Sequence, residues 1–217
     1  MSVHEAVAGF ALVAALLTLV PGLDTALVLR TSLTSRRRSA LATAGGIQVG
    51  CLAWGAAAAL GATAVLAASQ TAYRVLTLAG AAYLVWMGVR LLVAGFRTTP
   101  QDDDGGHAGP RPAAGVSPGR GFTTGLVTNL LNPKVGVFYL ATIPQFSAAG
   151  VPPLALGLLL AGVHCAIGTV WLTSLVLGSS ALGSRLASTA FARWVDRVTG
   201  GVLVLFGVRV ALSARAL

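Results

Sequence analysis

Six apolar stretches, each about as long as a membrane span, constrain the fold of this chain more than any other feature. A transmembrane helix needs about 20 predominantly apolar residues, because the hydrocarbon core of a bilayer is about 30 Å thick. Only 10% of the residues are charged, whereas soluble domains carry about 25%. The sequence therefore predicts an all-α integral membrane protein with six transmembrane helices in a lipid bilayer, over residues 6–33 (interrupted), 40–68, 75–95, 122–146, 153–182 and 195–212.

Basic residues concentrate in alternate gaps between the predicted spans. The net charge of +9 does not indicate nucleic acid as a partner, because no basic stripe with interleaved aromatic residues is present. Cytoplasmic loops of membrane proteins are enriched in Lys and Arg, so we expect the basic gaps in the cytoplasm and both termini outside. The arginines of these gaps are Arg36, Arg37, Arg38, Arg97, Arg111, Arg120, Arg185, Arg193 and Arg197, whereas Arg209 and Arg215 count against this orientation.

A hydrophilic segment at residues 98–120 divides the chain near its midpoint. The segment is rich in Pro, Gly and Asp, which is typical of a flexible linker. Asp102, Asp103, Asp104 and His107 are interpreted as solvated groups rather than metal ligands, and we expect neither a metal nor a cofactor. Three spans on each side must cross the membrane in opposite senses. The sequence thus predicts one transmembrane domain over residues 1–217, a 3+3 inverted repeat of residues 1–97 and 121–217 joined by a cytoplasmic linker.

The first span of each predicted repeat is interrupted by a proline. "LTLVPGLDTALVL" contains Pro21 and Gly22, and "VTNLLNPKVGVFYL" contains Pro133 at an equivalent place. A proline removes one helical hydrogen bond, and such breaks persist in membranes where they line protein or a polar cavity. A kink without function is the alternative for either proline alone. The matched positions favour a pair of broken helices at a shared site.

Charged and amide side chains follow these breaks. Asp24 and Thr25 come directly after the first break, and an ionised carboxylate near the bilayer centre must be paired, protonated or exposed to water. The alternative is that Asp24 lies at the interface and interacts with the start of a helix. Lys134, the single lysine of the chain, follows Asn129 and Asn132 at the second break. Asp24 and Lys134 could pair with each other, or they could bind the ammonium and carboxylate of a zwitterionic amino acid.

Other polar residues within the spans are weaker candidates. Gln48 and His164 could line a pathway, and His164 could relay protons, but hydrogen bonding between helices is the more frequent role of both. Cys51 and Cys165 are interpreted as buried small residues. The motifs Gly46-xxx-Gly50 and Gly121-xxx-Gly125 fit close helix contacts, and they leave homo-oligomerisation open.

These motifs resemble those of the LysE-type amino-acid exporter family, particularly its RhtB (homoserine/threonine efflux) branch. The likeness extends over essentially the whole chain and is carried by "PGLDTALVLRTSL", "LAGAAYLVWMGVRLL" and "GFTTGLVTNLLNPKVGVFYLATIPQF". The Pro-Gly-Pro-Asp motif of the family corresponds to Pro21, Gly22, Leu23 and Asp24, with Leu23 in place of the second proline. The Asn-x-x-Asn-Pro-Lys motif corresponds to Asn129, Asn132, Pro133 and Lys134, and the Pro-Gln-Phe segment that follows it contains Gln145.

The resemblance implies a multi-pass protein of the bacterial inner membrane that exports amino acids or related metabolites with the proton motive force. We therefore expect a secondary transporter for a small homoserine-, threonine- or lysine-like substrate, with the proton as coupling ion. A passive channel or an accessory scaffold subunit is the alternative. A membrane enzyme is disfavoured because the sequence has no HExxH or GxSxG motif, and His164 and Cys165 are adjacent residues that point apart on a helix.

Overall fold

The computed structural model describes residues 1–96, 116–178 and 189–213. Within these ranges the chain forms eight α-helices and one 3-10 helix, and no strand. Most of the predicted linker (98–115), the end of the predicted fifth span (179–182), and Arg97, Arg111, Arg185 and Arg215 lie outside the described residues. The helices are α1 (Val3–Leu19), α2 (Leu23–Thr34), α3 (Arg37–Ala68), α4 (Gln70–Phe96), α5 (Pro118–Leu130), α6 (Pro133–Thr142), the 3-10 helix Ile143–Gln145, α7 (Pro153–Leu177) and α8 (Thr189–Ser213).

Three or four candidate membrane spans are found among the described helices, fewer than the six predicted. The helices α3, α4 and α7 are each long and apolar enough to cross a bilayer, and α1 with α2 form a fourth candidate bent by 52° at its break. The predicted span 122–146 is divided between α5 and α6 at Asn132, next to the break predicted at Pro133. The predicted span 195–212 lies in α8, which also carries Arg193, Asp196, Arg197 and Arg209.

Several predicted boundaries differ from those of the helices. α5 begins at Pro118, inside the predicted linker, because the Ser117 side chain accepts a hydrogen bond from Arg120 N and a proline suits the first turn of a helix. The predicted gap between the second and third spans is reduced to Ser69, because α3 ends at Ala68 and α4 begins at Gln70. Both helices are therefore longer than the apolar runs that predicted them.

Glycines allow the helices to pack closely at two contacts. α5 and α7 pack along α3, and α8 packs along α4. A methyl group on Gly46 would collide with Phe122 O, and one on Gly125 would collide with Thr43 O. The two predicted Gly-xxx-Gly motifs thus face each other within the chain. Gly88 and Gly200 do the same between α4 and α8, where an added Cβ would lie 2.6–2.7 Å from the opposite carbonyl oxygen.

An aromatic cluster holds the second half of the chain against α1. The ring of Phe10 in α1 lies 5.8 Å from the rings of both Phe138 and Phe146, and 6.3 Å from that of Tyr139. Phe10, Phe138 and Tyr139 are fully buried, and van der Waals packing of this kind drives the association of helices in membranes. The cluster positions α6 beside α1, which brings the two helix breaks together.

Candidate functional site

The first break separates α1 from α2 at Val20–Gly22. Pro21 has no N–H with which to continue the ladder of α1, and α2 restarts with Gly22 as its N-cap in an extended conformation. No side chain caps this restart. Asp24 lies in the first turn of α2, where the helix dipole favours a negative charge.

The second break separates α5 from α6 and is capped from within the chain. The Asn132 side chain accepts a hydrogen bond of 3.1 Å from Lys134 N, and Pro133 occupies the first turn of α6, where its missing N–H is tolerated. At the end of α5, Trp54 Nε1 donates to Asn129 O at 3.3 Å. The carbonyl freed by the break thus has a partner on α3.

Lys134 satisfies the carbonyls left open at the end of α1. Its Nζ donates to Leu17 O at 3.1 Å and to Val20 O at 2.9 Å. The last carbonyls of a helix have no partner within the helix and carry the negative end of its dipole. A cation from the second half of the chain therefore stabilises the break in the first half.

Asn129 makes the reciprocal contact from α5 to α2. Its Nδ2 donates to Asp24 Oδ2 at 2.8 Å and lies 3.5 Å from Cys51 Sγ. Asn129 is fully buried, and it fits because Gly50 has no side chain, since a Cβ there would overlap the Asn129 side chain. The two breaks are therefore linked by polar contacts in both directions.

A cavity of about 60 Å³ lies between the breaks, large enough for several water molecules. Several of its buried polar atoms have no hydrogen-bond partner, among them Asp24 Oδ1, Gln48 Nε2 and Trp171 Nε1. Buried polar groups are normally satisfied, so these atoms mark a place for water or a ligand. The polar lining residues are Thr18, Asp24, Thr25, Gln48, Cys51, Asn132, Lys134, His164 and Trp171.

Most of the site residues predicted from the sequence meet at this cavity. Gly22 lines it together with Asp24, Thr25, Gln48, Asn132, Lys134 and His164, and Asn129 lies behind Asp24. Three others lie elsewhere: Pro21 is exposed and lines a groove beside α4, Pro133 is exposed at the start of α6, and Gln145 lines a separate cavity.

One interaction considered from the sequence differs in the structure. Asp24 and Lys134 share the cavity, but the lysine bonds to carbonyls and the aspartate to Asn129, so within the described ranges no direct ion pair joins them. Lys134 binds these carbonyls because the break after α1 leaves them unpaired. His164 Nδ1 lies 2.9 Å from the Tyr139 hydroxyl, which is a contact between α7 and α6 of the kind that the sequence favours for this residue.

Two contacts of Asn129 were not predicted from the sequence. Trp54 Nε1 donates to its backbone oxygen, and Cys51, which was interpreted as a buried small residue, lies beside its side chain. Gln48, Cys51 and Trp54 recur every three residues on α3, and this spacing on one helix face was a usable signal. No cluster of three or more His, Cys, Asp or Glu side chains in the described part of the chain is arranged to hold a metal ion.

Comparisons with known proteins show what the whole chain is similar to. The family described as LysE type translocator matches residues 15–214. An uncharacterized membrane protein of Bacillus subtilis, YrhP, is 28% identical over 205 residues, which cover 93% of this chain and 96% of the relative. The threonine efflux protein of Escherichia coli K12 is 25% identical over 197 residues, which cover 89% of this chain and 91% of the relative. The homoserine/homoserine lactone efflux protein of Salmonella typhimurium is 27% identical over 211 residues, which cover 95% and 96%. No solved structure matches the chain.

Proposed function

The chain belongs to the LysE type translocator family, and on this premise we propose that it exports a small amino acid or amino-acid derivative from the cytoplasm in exchange for protons. As a member of this family it is a helical membrane transporter and not an enzyme. Relatives named for threonine efflux and for homoserine and homoserine lactone efflux make these compounds the first substrates to test. Lysine-like compounds are the next substrates to test.

The observation that carries this proposal is the presence of both charges at one cavity without a direct ion pair. Asp24 Oδ1 has no hydrogen-bond partner, and an ammonium group of a substrate would supply one. Lys134 has three N–H donors and two carbonyl acceptors, which leaves one donor for a substrate carboxylate. A zwitterion matches this pair of groups better than a cation or an anion alone.

Proton exchange follows from competition at Asp24. The carboxylate can bind a proton or the ammonium of a substrate. A protonated Asp24 is neutral and binds an ammonium only weakly, so the proton and the substrate compete for it. Loading from the cytoplasm would displace the proton inward, and release outside would let a new proton bind. Each cycle then moves one substrate out and one proton in, with Asn129 holding Oδ2 in place throughout.

The helix contacts support a 3+3 inverted repeat as the architecture for this function. If α1–α2, α3 and α4 correspond to α5–α6, α7 and α8, then α3 packs on its own counterpart α7, and α4 on α8. The contact of α1 with α7 corresponds to that of α5 with α3. At 1.5 Å per residue the 12 residues of α2 extend about 18 Å, which would put Asp24 near the middle of a bilayer about 30 Å thick.

Transport in this scheme requires the two halves to move relative to each other. Ligand cavities usually measure about 300–1,000 Å³, whereas the space between the breaks is about 60 Å³. Rocking of the repeats about the breaks would open it alternately to each side. We place the protein in the bacterial inner membrane with both termini outside, as the arginines of the sequence indicate.

Metabolite profiling of the medium tests the proposal. Cells that overexpress the protein should release more threonine, homoserine or another small amino acid than cells expressing Asp24→Asn at the same level. An uncoupler should reduce this release. The proposal is wrong if no amino acid in a broad panel is released above the variant, and release that the uncoupler leaves unchanged would instead identify a passive channel.

A further inference from the structure

A second carboxylate lies in α8, which contains the predicted sixth span, and has no role in the scheme above. The chain has six acidic residues, of which Glu5 lies in the first turn of α1 and three lie in the hydrophilic segment. Asp24 and Asp196 remain. Asp196 is half-buried and begins a stripe of α8 that continues, at intervals of three to seven residues, with the buried residues Thr199, Leu203 and Val210. Acidic residues within membrane helices are rare, usually paired and frequently functional.

The contacts of α8 with α1 place Asp196 near Lys134. Thr199 Oγ1 donates to Leu16 O at 3.4 Å, and Lys134 Nζ donates to the next carbonyl, Leu17 O, at 3.1 Å. Asp196 precedes Thr199 by one turn, and α8 and Lys134 therefore meet at the same end of α1. Phe206 of α8 stacks on Phe146, which lies beside Phe10 of α1. Because Thr199 lies further along α1, at Leu16, α8 runs antiparallel to α1. Asp196 therefore lies on the side of Val20, whose carbonyl binds Lys134.

Lys134 lies between two spaces. It lines the cavity that contains Asp24, and it also lines a groove of about 440 Å³ beside α4, together with Pro21, Tyr83, Trp86 and Arg90. One of its three N–H donors has no acceptor among its described hydrogen bonds. The ammonium is thus positioned to interact on either side.

We propose that Asp196 is a second counter-ion for Lys134. When a proton neutralises Asp24, the charge of Lys134 loses its compensation on the cavity side, and Asp196 supplies it from α8. Asp196 is therefore a positioning residue that acts through Lys134 and keeps its ammonium charged at the end of α1. The role of this pairing in transport rests on the proposed function, whereas the pairing itself does not.

The single lysine of the chain allows the pairing to be measured directly. Purified protein in detergent is treated with an amine-reactive ester at fixed pH, and modification of Lys134 is followed by mass spectrometry of the peptide that contains it. Asp196→Asn should accelerate the modification several-fold, because loss of the carboxylate increases the fraction of free amine. Asp196→Glu should restore the wild-type rate, and Glu5→Gln, which removes an exposed carboxylate, should leave it unchanged.

The labelling rates test the pairing of Asp196 with Lys134, and the export assay tests the proposed function. Equal rates for wild type and Asp196→Asn, or a rate for Asp196→Glu as high as that for Asp196→Asn, would overturn the pairing. If the pairing holds, Asp196→Asn should also reduce export several-fold while Asp196→Glu retains it. Accelerated labelling of Asp196→Asn in a protein that exports nothing would support the pairing and refute the proposed function. Export by a protein whose labelling rate Asp196→Asn leaves unchanged would support the proposed function and refute the pairing.

Discussion

Asn129 Nδ2 lies 2.8 Å from Asp24 Oδ2 and joins the last turn of α5 to the first turn of α2. The residues are 105 positions apart in sequence, one in each half of the chain. In the opposite direction, Lys134 Nζ of α6 donates to Val20 O at the end of α1, at 2.9 Å. Each break is therefore stabilised by a side chain from the opposite half, and the candidate site exists only where both halves meet.

Asp24→Asn should abolish most export without preventing folding. An asparagine retains an oxygen that can accept from Asn129, but it loses the charge that would bind a substrate ammonium or a proton. A hydrogen bond to a charged group is worth about 1.5–3 kcal/mol, or roughly 10- to 100-fold in affinity. Export from cells with matched protein levels measures the effect, with Asp103→Asn in the hydrophilic segment as the control. Export near the wild-type level would exclude Asp24 from the transport site.

Asn129→Leu should destabilise the protein through the carboxylate that it leaves unpaired. Leaving one buried polar partner unsatisfied costs about 1–3 kcal/mol, whereas replacing both partners with apolar groups can be nearly neutral. We expect a lower midpoint of denaturation in detergent for Asn129→Leu, and a smaller loss when the same substitution is made in an Asp24→Leu background. Additive effects in this double-mutant cycle would show that the two side chains do not interact.

Gly50→Ala should displace Asn129 and weaken both stability and export. A Cβ at position 50 would lie 2.9 Å from Asn129 Cβ and Cγ, and overpacking of this kind typically costs about 1–3 kcal/mol. Gly61, on the same helix, has nothing within 4 Å of an added Cβ. Gly61→Ala is therefore the matched control and should be neutral or slightly stabilising. Equal denaturation midpoints for the two variants would contradict the close approach of α3 and α5.

Tyr139→Phe should lower stability by about 1–3 kcal/mol, because His164 Nδ1 would lose its hydrogen-bond partner in a buried position. The hydroxyl lies 2.9 Å from this nitrogen, and both residues are buried. Denaturation of the purified variant measures the loss.

A companion variant, His164→Gln, tests the proton-relay hypothesis. If that variant exports substrate with unchanged dependence on the proton gradient, His164 is a packing residue.

The helical class and the two breaks were predictable because each rests on local chemistry. Apolar length predicts a helix in a membrane, and Pro21 and Pro133 interrupt a helix wherever they occur within one. The second break lies next to the predicted proline, since α5 ends at Leu130 and α6 begins at Pro133. The number of spans depends on the placement of these half-helices, which apolar length does not determine.

The partners within the candidate site were not predictable in the same way. The sequence brought Asp24 and Lys134 together in one region, but the carbonyls of Leu17 and Val20 bind the lysine. The amino-acid sequence does not show which backbone carbonyl a distant side chain will contact. Trp54 was likewise missed, because its contact with Asn129 O depends on how closely α3 and α5 pack. Such contacts between distant segments are set by tertiary packing.

Uptake of labelled threonine and homoserine by inside-out membrane vesicles tests the central claim most directly, because the export direction becomes inward. With the vesicle lumen acidified, wild-type protein should accumulate at least one of these compounds, and an uncoupler should abolish the accumulation. Vesicles containing Asp24→Asn should accumulate neither. Equal uptake by wild-type and Asp24→Asn vesicles, or accumulation that persists without the proton gradient, would contradict the account.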